Sequence, residues 1–165
     1  MRALAAILIP AGLSACSVAA QPVGEIRRIG APQAAILSSA EVPAGSRLVY
    51  VSGTVPNAVD ASAPAGSVQR YGDTPTQTRS VLRKIEAELG QHGLGLGDVV
   101  MMRVFLVAPP GQARMDFPGM MTAYREFFGT AAQPNRPARS TMQVAGLVDP
   151  GWLVEIEVTA AAPPR

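Results

Sequence analysis

Few side chains in this sequence could do covalent or metal chemistry, and their counts limit what that chemistry is. Cys16 and His92 are each the only residue of their kind. One cysteine rules out an intrachain disulfide, and one Cys with one His rules out a zinc cage or any Cys/His cluster. A carboxylate-only metal site has no motif to support it. What remains is charge and proton chemistry, concentrated in Arg103, Arg139, Glu155 and Glu157. The two glutamates alternate with Val154, Ile156 and Val158, so a strand's period of 2 puts both carboxylates on one face. Taken as residues alone, Arg139 reads as an ion-pair partner of Glu155 or Glu157 on a neighbouring strand or subunit, and Arg103 as a salt-bridge partner of Glu157. His92, beside Gly93, reads as a solvated residue interacting with a helix C-terminus, and Trp152 as a packing residue of a turn.

Cys16 has its own chemistry. Arg2 supplies a positive n-region, Ala3 to Gly12 form an apolar run, and small residues follow. The run is far short of the ~20 residues a membrane-spanning helix needs, so residues 1–20 read as an export signal. Leu13-Ser14-Ala15-Cys16 has the form of a bacterial lipobox, while Val18-Ala19-Ala20 offers ordinary signal peptidase a site before Gln21. An unpaired thiol in an exported protein asks for an explanation, and lipidation of Cys16 after cleavage provides it. The expectation is a periplasmic or cell-envelope protein, lipid-anchored through Cys16, with simple secretion as the alternative. A lipid would anchor the protein without spanning the membrane.

Composition narrows the partners. Fourteen Lys+Arg against twelve Asp+Glu leave a net charge of +2, too small to recommend nucleic acid or an anionic membrane as the main partner. Hydrophobic residues make up 48% of the chain, enough for a real core. Residues 21–165 show no repeat and no long linker, which predicts a single domain.

The elements that position the charged residues follow from periodicity. Glu25–Ile29, Ala34–Ala40 and Arg47–Ser52 read as strands, and residues 56–73 as a long loop. Thr74-Pro75-Thr76-Gln77 opens a helix, with Thr74 as N-cap, Pro75 at the first helical position and Gln77 closing a capping box. Val81, Leu82, Ile85 and Leu89 form its buried stripe. Val99–Val107 is a strand, with Val99, Met101, Arg103, Phe105 and Val107 on one face and Val100, Met102, Val104 and Leu106 on the other. Asp116 caps a second helix whose Phe117, Met120, Met121, Tyr124, Phe127 and Phe128 are read as core, stopped by Gly129. Arg139–Val144 and Leu153–Ala160 finish the chain as strands. The order β, β, β, α, β, α, β, β predicts an α+β domain with one mixed sheet and both helices on one face. The other face, lined with Met, Phe, Val and a few charges, predicts self-association through the sheet.

Six segments together resemble the Rid (YjgF) family: Tyr50-Val51-Ser52-Gly53-Thr54-Val55-Pro56, Gln77-Thr78-Arg79, Gly97-Asp98-Val99-Val100, Tyr124-Arg125-Glu126-Phe127-Phe128, Pro137-Ala138-Arg139-Ser140-Thr141 and Val154-Glu155-Ile156-Glu157-Val158. They occur in the family's order. The resemblance implies a chorismate-mutase-like fold and a homotrimeric barrel with ligand sites in the clefts between subunits. The implied activity is hydrolytic deamination of small reactive enamines and imines (2-imino acids) to 2-keto acids and ammonia, with no cofactor. A non-catalytic trimer that binds small carboxylates, or a holdase, is the alternative on the same scaffold.

By the same resemblance Arg139 grips the substrate carboxylate through its planar fork, and Glu155 handles water and protons at the imine carbon. Ser52 lines the site, and Thr141 stands where many members have Cys. Ser39, in Leu37-Ser38-Ser39, occupies the position at which deaminase members carry the substrate-facing tyrosine of a Gly-Pro-Tyr segment. The turn Val148-Asp149-Pro150-Gly151-Trp152 is about one residue longer than in the deaminases, and a one-residue slip there would turn Glu155 to the other face.

Overall fold

The computed structural model describes residues 24–164, so the expected export signal and Cys16 lie outside the described residues. In chain order the elements are β1 (Arg27–Ile29), β2 (Ser39–Glu41), β3 (Arg47–Thr54), α1 (Val68–Tyr71), α2 (Thr74–Gln91), a 3-10 turn (Leu96–Asp98), β4 (Val99–Leu106), α3 (Phe117–Tyr124), β5 (Ala138–Gln143) and β6 (Val154–Ala162). The main sheet has the order β3-β6-β4-β5. β4 and β5 run parallel, and the other neighbours are antiparallel. This is the expected mixed-sheet α+β domain, with one correction: β1 and β2 pair only with each other, as a separate hairpin. Arg28 ties that hairpin to the sheet, donating to the carbonyls of Gly97 (2.8 Å) and Val99 (3.0 Å).

The long loop contains the short α1, which sequence reading leaves as coil. α2 begins at Thr74, but its N-cap is Asp73, not Thr74; the Asp73 carboxylate accepts from the Thr76 amide at 2.9 Å, which satisfies an orphan donor of the first turn. Val81, Leu82, Ile85 and Leu89 are fully buried. The helix unwinds at Gly93, whose φ of +68° suits a residue without Cβ. α3 is capped by Asp116, which accepts from the Gly119 amide, and is shorter than the expected run to Gly129. Beyond Tyr124 the amides of Glu126 and Phe127 bond three residues back, to Ala123 and Tyr124, tightening the chain out of α geometry.

Both helices cover one face of the sheet. Val154, Ile156 and Val158 of β6 and Met102, Val104 and Leu106 of β4 join them in one core. The alternation along β4 holds from Met101 onward and breaks before it. The ladder to β6 goes from Val99–Ala160 to Met101–Thr159, so Val100 is a bulged residue, and Val99 lies in the core where alternation had placed Val100. On the opposite face lie Tyr50, Met101, Arg103, Phe105, Met142 and the two glutamates of β6. Tyr50 there is 75% exposed.

The turn before β6 is held by Gln77, whose side chain is completely buried. Its Nε2 donates to the carbonyls of Gly72 and Gly151, both at 2.9 Å, and its Oε1 accepts from the Leu153 amide at 2.7 Å. Asp149 accepts from the Tyr71 hydroxyl (2.7 Å) and the Gly151 amide (2.8 Å). These bonds fix where β6 starts, and with it the faces of Glu155 and Glu157.

Candidate functional site

β5 is an edge strand, and register assigns its faces. Arg139 pairs with Met102 and Thr141 with Val104, so both side chains leave on the helix-covered side, at its margin. There the Arg139 guanidinium meets one face of α3. Its Cζ lies 4.4 Å from the Tyr124 ring centroid and 5.9 Å from that of Phe117, and Nη2 donates to the Met121 sulfur at 3.1 Å. Nε and Nη1 of Arg139, and Oγ1 of Thr141, are buried with no hydrogen-bond partner among the described residues. Burial pushes the arginine's pKa down, and the neighbouring tyrosine is a minor opposing influence. Tyr124 is itself pushed up to about 12, by burial above all, with Arg139 and Arg136 acting in the other direction. Its hydroxyl donates to the Ala35 carbonyl at 3.0 Å.

The reading of Arg139 as an ion-pair partner of Glu155 or Glu157 is therefore corrected within the chain. Register sets Glu155 opposite Phe105 and Glu157 opposite Arg103, on the face away from the helices. Arg103 does pair with Glu157, at 2.7 Å. An aromatic face and a thioether stabilise a guanidinium without neutralising it. Among the described residues Arg139 thus meets no compensating charge, and two of its nitrogens have no acceptor, in a planar fork of the kind that suits a carboxylate.

Glu155 has a different setting. The register of β3 against β6 slips between Val51 and Thr54, leaving Ser52 and Gly53 together opposite Glu157. A Cβ built on Gly53 would stand 1.9 Å from Glu155 Oε1. The glycine is needed there to let the carboxylate lie against the β3 backbone. Ser52 joins Glu157, Arg103 and Tyr50 in lining the shallow pocket on this face.

Ser39 is reached by another route. Leu37 bridges Ala138 in parallel, and its amide donates to the Pro137 carbonyl at 3.0 Å, which lays the segment leading into Ser39 beside the start of β5. The expected site residues thus form two groups. Arg139 and Thr141, with the Ser39 segment nearby, lie at the β5 edge; Ser52 and Glu155 lie across the opposite face on β3 and β6. One chain does not bring Arg139 and Glu155 together.

Phe117, Met121 and Tyr124 as walls of the arginine site, and Gly53 as the bed of Glu155, escaped sequence reasoning. Their signals were in the chain: spacing of i, i+4, i+7 puts the three α3 residues on one stripe, and an isolated glycine in a strand marks a bulge or close approach. His92 is the C-cap of α2 with its ring 3.8 Å from Glu88, and half-buried Trp152 packs edge-on to Tyr71, both as expected. Among the described residues no group of three or more His, Cys, Asp or Glu is placed to hold a metal ion.

Comparison with known proteins agrees with this architecture. A family model described as Endoribonuclease L-PSP matches residues 30–162. A RutC family protein of Pyrococcus abyssi is 32% identical over 112 residues, 68% of this chain and 76% of its own length. A RutC family protein of Haemophilus influenzae is 34% identical over 101 residues, 61% of this chain and 68% of its own. The crystal structure of E. coli TdcF with bound serine superposes with a TM-score of 0.54 at 28% identity, covering 81% of this chain and 97% of that one. The chain belongs to the Endoribonuclease L-PSP family, the YjgF/Rid family of the sequence resemblance.

Proposed function

We propose that the chain hydrolyses small reactive 2-imino acids and their enamines to 2-keto acids and ammonia, in clefts of a homotrimer where Arg139 of one copy meets Glu155 of another. The observation that carries this is the buried guanidinium of Arg139, which has no carboxylate partner within the described chain and faces away from Glu155. The serine bound to TdcF has the carboxylate that such a guanidinium suits. The exposed Tyr50 and Met142 on the open face support burial against further copies.

The chemistry asks little of the protein. An imine carbon is already electrophilic, so orientation and proton transfer suffice. Arg139 holds the carboxylate and so fixes the C=N bond. Glu155 takes a proton from water as its oxygen bonds to the imine carbon and passes it to the nitrogen, giving a tetrahedral amino alcohol. Glu155 then takes the hydroxyl proton and delivers it to the nitrogen as the C–N bond breaks and the C=O bond forms, so ammonia leaves, the 2-keto acid remains and the carboxylate is restored. We place the protein in the cell envelope, anchored through Cys16.

The test is complementation. Arg139→Ala and Glu155→Gln should each be inactive on 2-iminopropionate. Unfolded and refolded together, they should regain activity in trimers that pair an intact arginine with an intact glutamate. Two inactive variants that stay inactive when mixed would place both groups on one chain's site. A wild type that binds 2-keto acids without hydrolysing imines would leave the binding protein as the function. For the anchor, labelled fatty acid should enter the wild type and not Cys16→Ser.

A further inference from the structure

We infer that the Arg139 site selects carboxylates with an apolar carbon chain, branched or aromatic, over those bearing a hydroxyl or a second acid, and that Phe117 and Met121 set this preference. The inference rests on the proposed carboxylate binding at Arg139. The ring and sulfur contacts of the guanidinium all come from α3: Phe117 at 5.9 Å and Tyr124 at 4.4 Å from Cζ, and the Met121 sulfur at 3.1 Å from Nη2. Tyr124 carries the one hydroxyl of the three, and it is committed to the Ala35 carbonyl.

Burial separates their parts. Tyr124 and Met121 are 1% and 7% exposed and form the floor, whereas Phe117 is 39% exposed. A large apolar ring left in water beside a charged group is the outer lip of the site. A ligand whose carboxylate reaches Arg139 brings its next carbons against that ring and the thioether. A hydroxyl or second carboxylate set against this α3 wall loses water without gaining a donor from it. An alkyl or aryl group covers the ring and gains burial.

The test is titration of the purified full-length protein with 4-methyl-2-oxopentanoate and with hydroxypyruvate, followed by calorimetry. Wild type should bind the branched acid about 10-fold more tightly, the range one apolar contact supplies. Phe117→Ser, a change at an exposed position, should bring the two affinities within ~3-fold by weakening the branched acid alone. Met121→Asn should shift the ratio the same way, and Phe117→Leu should preserve it. Equal or tighter binding of hydroxypyruvate by wild type, a ratio unmoved in Phe117→Ser, or no binding of either acid would each overturn the inference. Imine hydrolysis measured in parallel separates the two ideas. Turnover without the preference sinks only the specificity; the preference without turnover sinks only the proposed reaction.

Discussion

Gln77 and Arg139 are both polar side chains taken out of water beside α-helices, and the structure treats them in opposite ways. Gln77 is completely enclosed, and both ends of its amide bond to three backbone groups in two segments, the approach to α2 and the turn before β6. Arg139 is half-buried with two of its three nitrogens unpartnered within the described chain and the third on a sulfur. A buried polar group without partners costs stability, and a charged one costs more. The first residue therefore belongs to the fold, and the second carries a cost that only a ligand or another copy offsets. Loss of Gln77 should damage the protein, whereas loss of Arg139 should damage only what it binds.

The largest effect follows from Gln77. Gln77→Met keeps the volume but orphans the Leu153 amide and the Gly72 and Gly151 carbonyls. At about 1–3 kcal/mol per unsatisfied buried group, urea denaturation should show a loss of about 3 kcal/mol or more. A loss under about 1 kcal/mol would mean that water replaces the amide and that the contrast is illusory. Arg139→Met is the matched experiment. Binding of 2-keto acids should fall by ~100-fold, as expected for removing a charge-assisted pair. The denaturation midpoint should hold or rise, because an apolar side chain then packs against Phe117, Met121 and Tyr124. A clear fall would make Arg139 structural.

Glu155 sharpens the comparison from the other face. Glu155→Gln retains size and polarity but cannot accept a proton, so turnover should drop by ~100-fold with ligand affinity intact. Gly53→Ala should lower turnover by a smaller factor, about 10-fold, since its Cβ meets only the far end of the Glu155 side chain and that end can swing aside. If Gly53→Ala is as active as wild type, the close approach at Gly53 does not place the carboxylate for proton transfer.

The sequence made the core legible because hydrophobic period and face assignment are local. The stripe of α2 and the alternation of β6 both hold, and the ion pair of Arg103 with Glu157 follows from them. Two bulges mark where locality ends. Val100 interrupts the ladder so that Val99 joins the core against the alternation, and Ser52-Gly53 doubles up opposite one residue of β6. The glycine of the second hinted at a bulge, but nothing in the apolar run of β4 announces the first, because its place is set by the partner strand. The separation of β1 and β2 from the sheet is of the same kind. At the site, the resemblance supplied Arg139 and Glu155, but their placement on opposite faces came from the parallel register of β5. The stripe Phe117, Met121, Tyr124 was visible as a stripe, while its occupancy by a guanidinium was not.

The smallest effect tests how Arg139 and Tyr124 sense each other. Burial raises the Tyr124 hydroxyl to about 12, above the ~10 of an unfolded tyrosine. The folded protein therefore holds this proton to higher pH than the unfolded chain does. The resulting stability is fully present below pH ~10 and is lost as pH rises from there through about 12, because the unfolded chain ionises first. Tyr71 is shifted upward too, chiefly by its bond to Asp149, but it is common to both proteins and cancels in a difference. The stability difference between wild type and Tyr124→Phe should thus be constant to about pH 10 and move toward Tyr124→Phe above it. At neutral pH the phenylalanine variant should lose only about 1 kcal/mol, the Ala35 hydrogen bond. Repeating the comparison in an Arg139→Met background removes a cation that favours the phenolate in the folded state, so the loss should begin at the same pH, set by the unfolded tyrosine, but continue to higher pH. An upper end that does not move would show that the ring and the guanidinium touch without sharing charge.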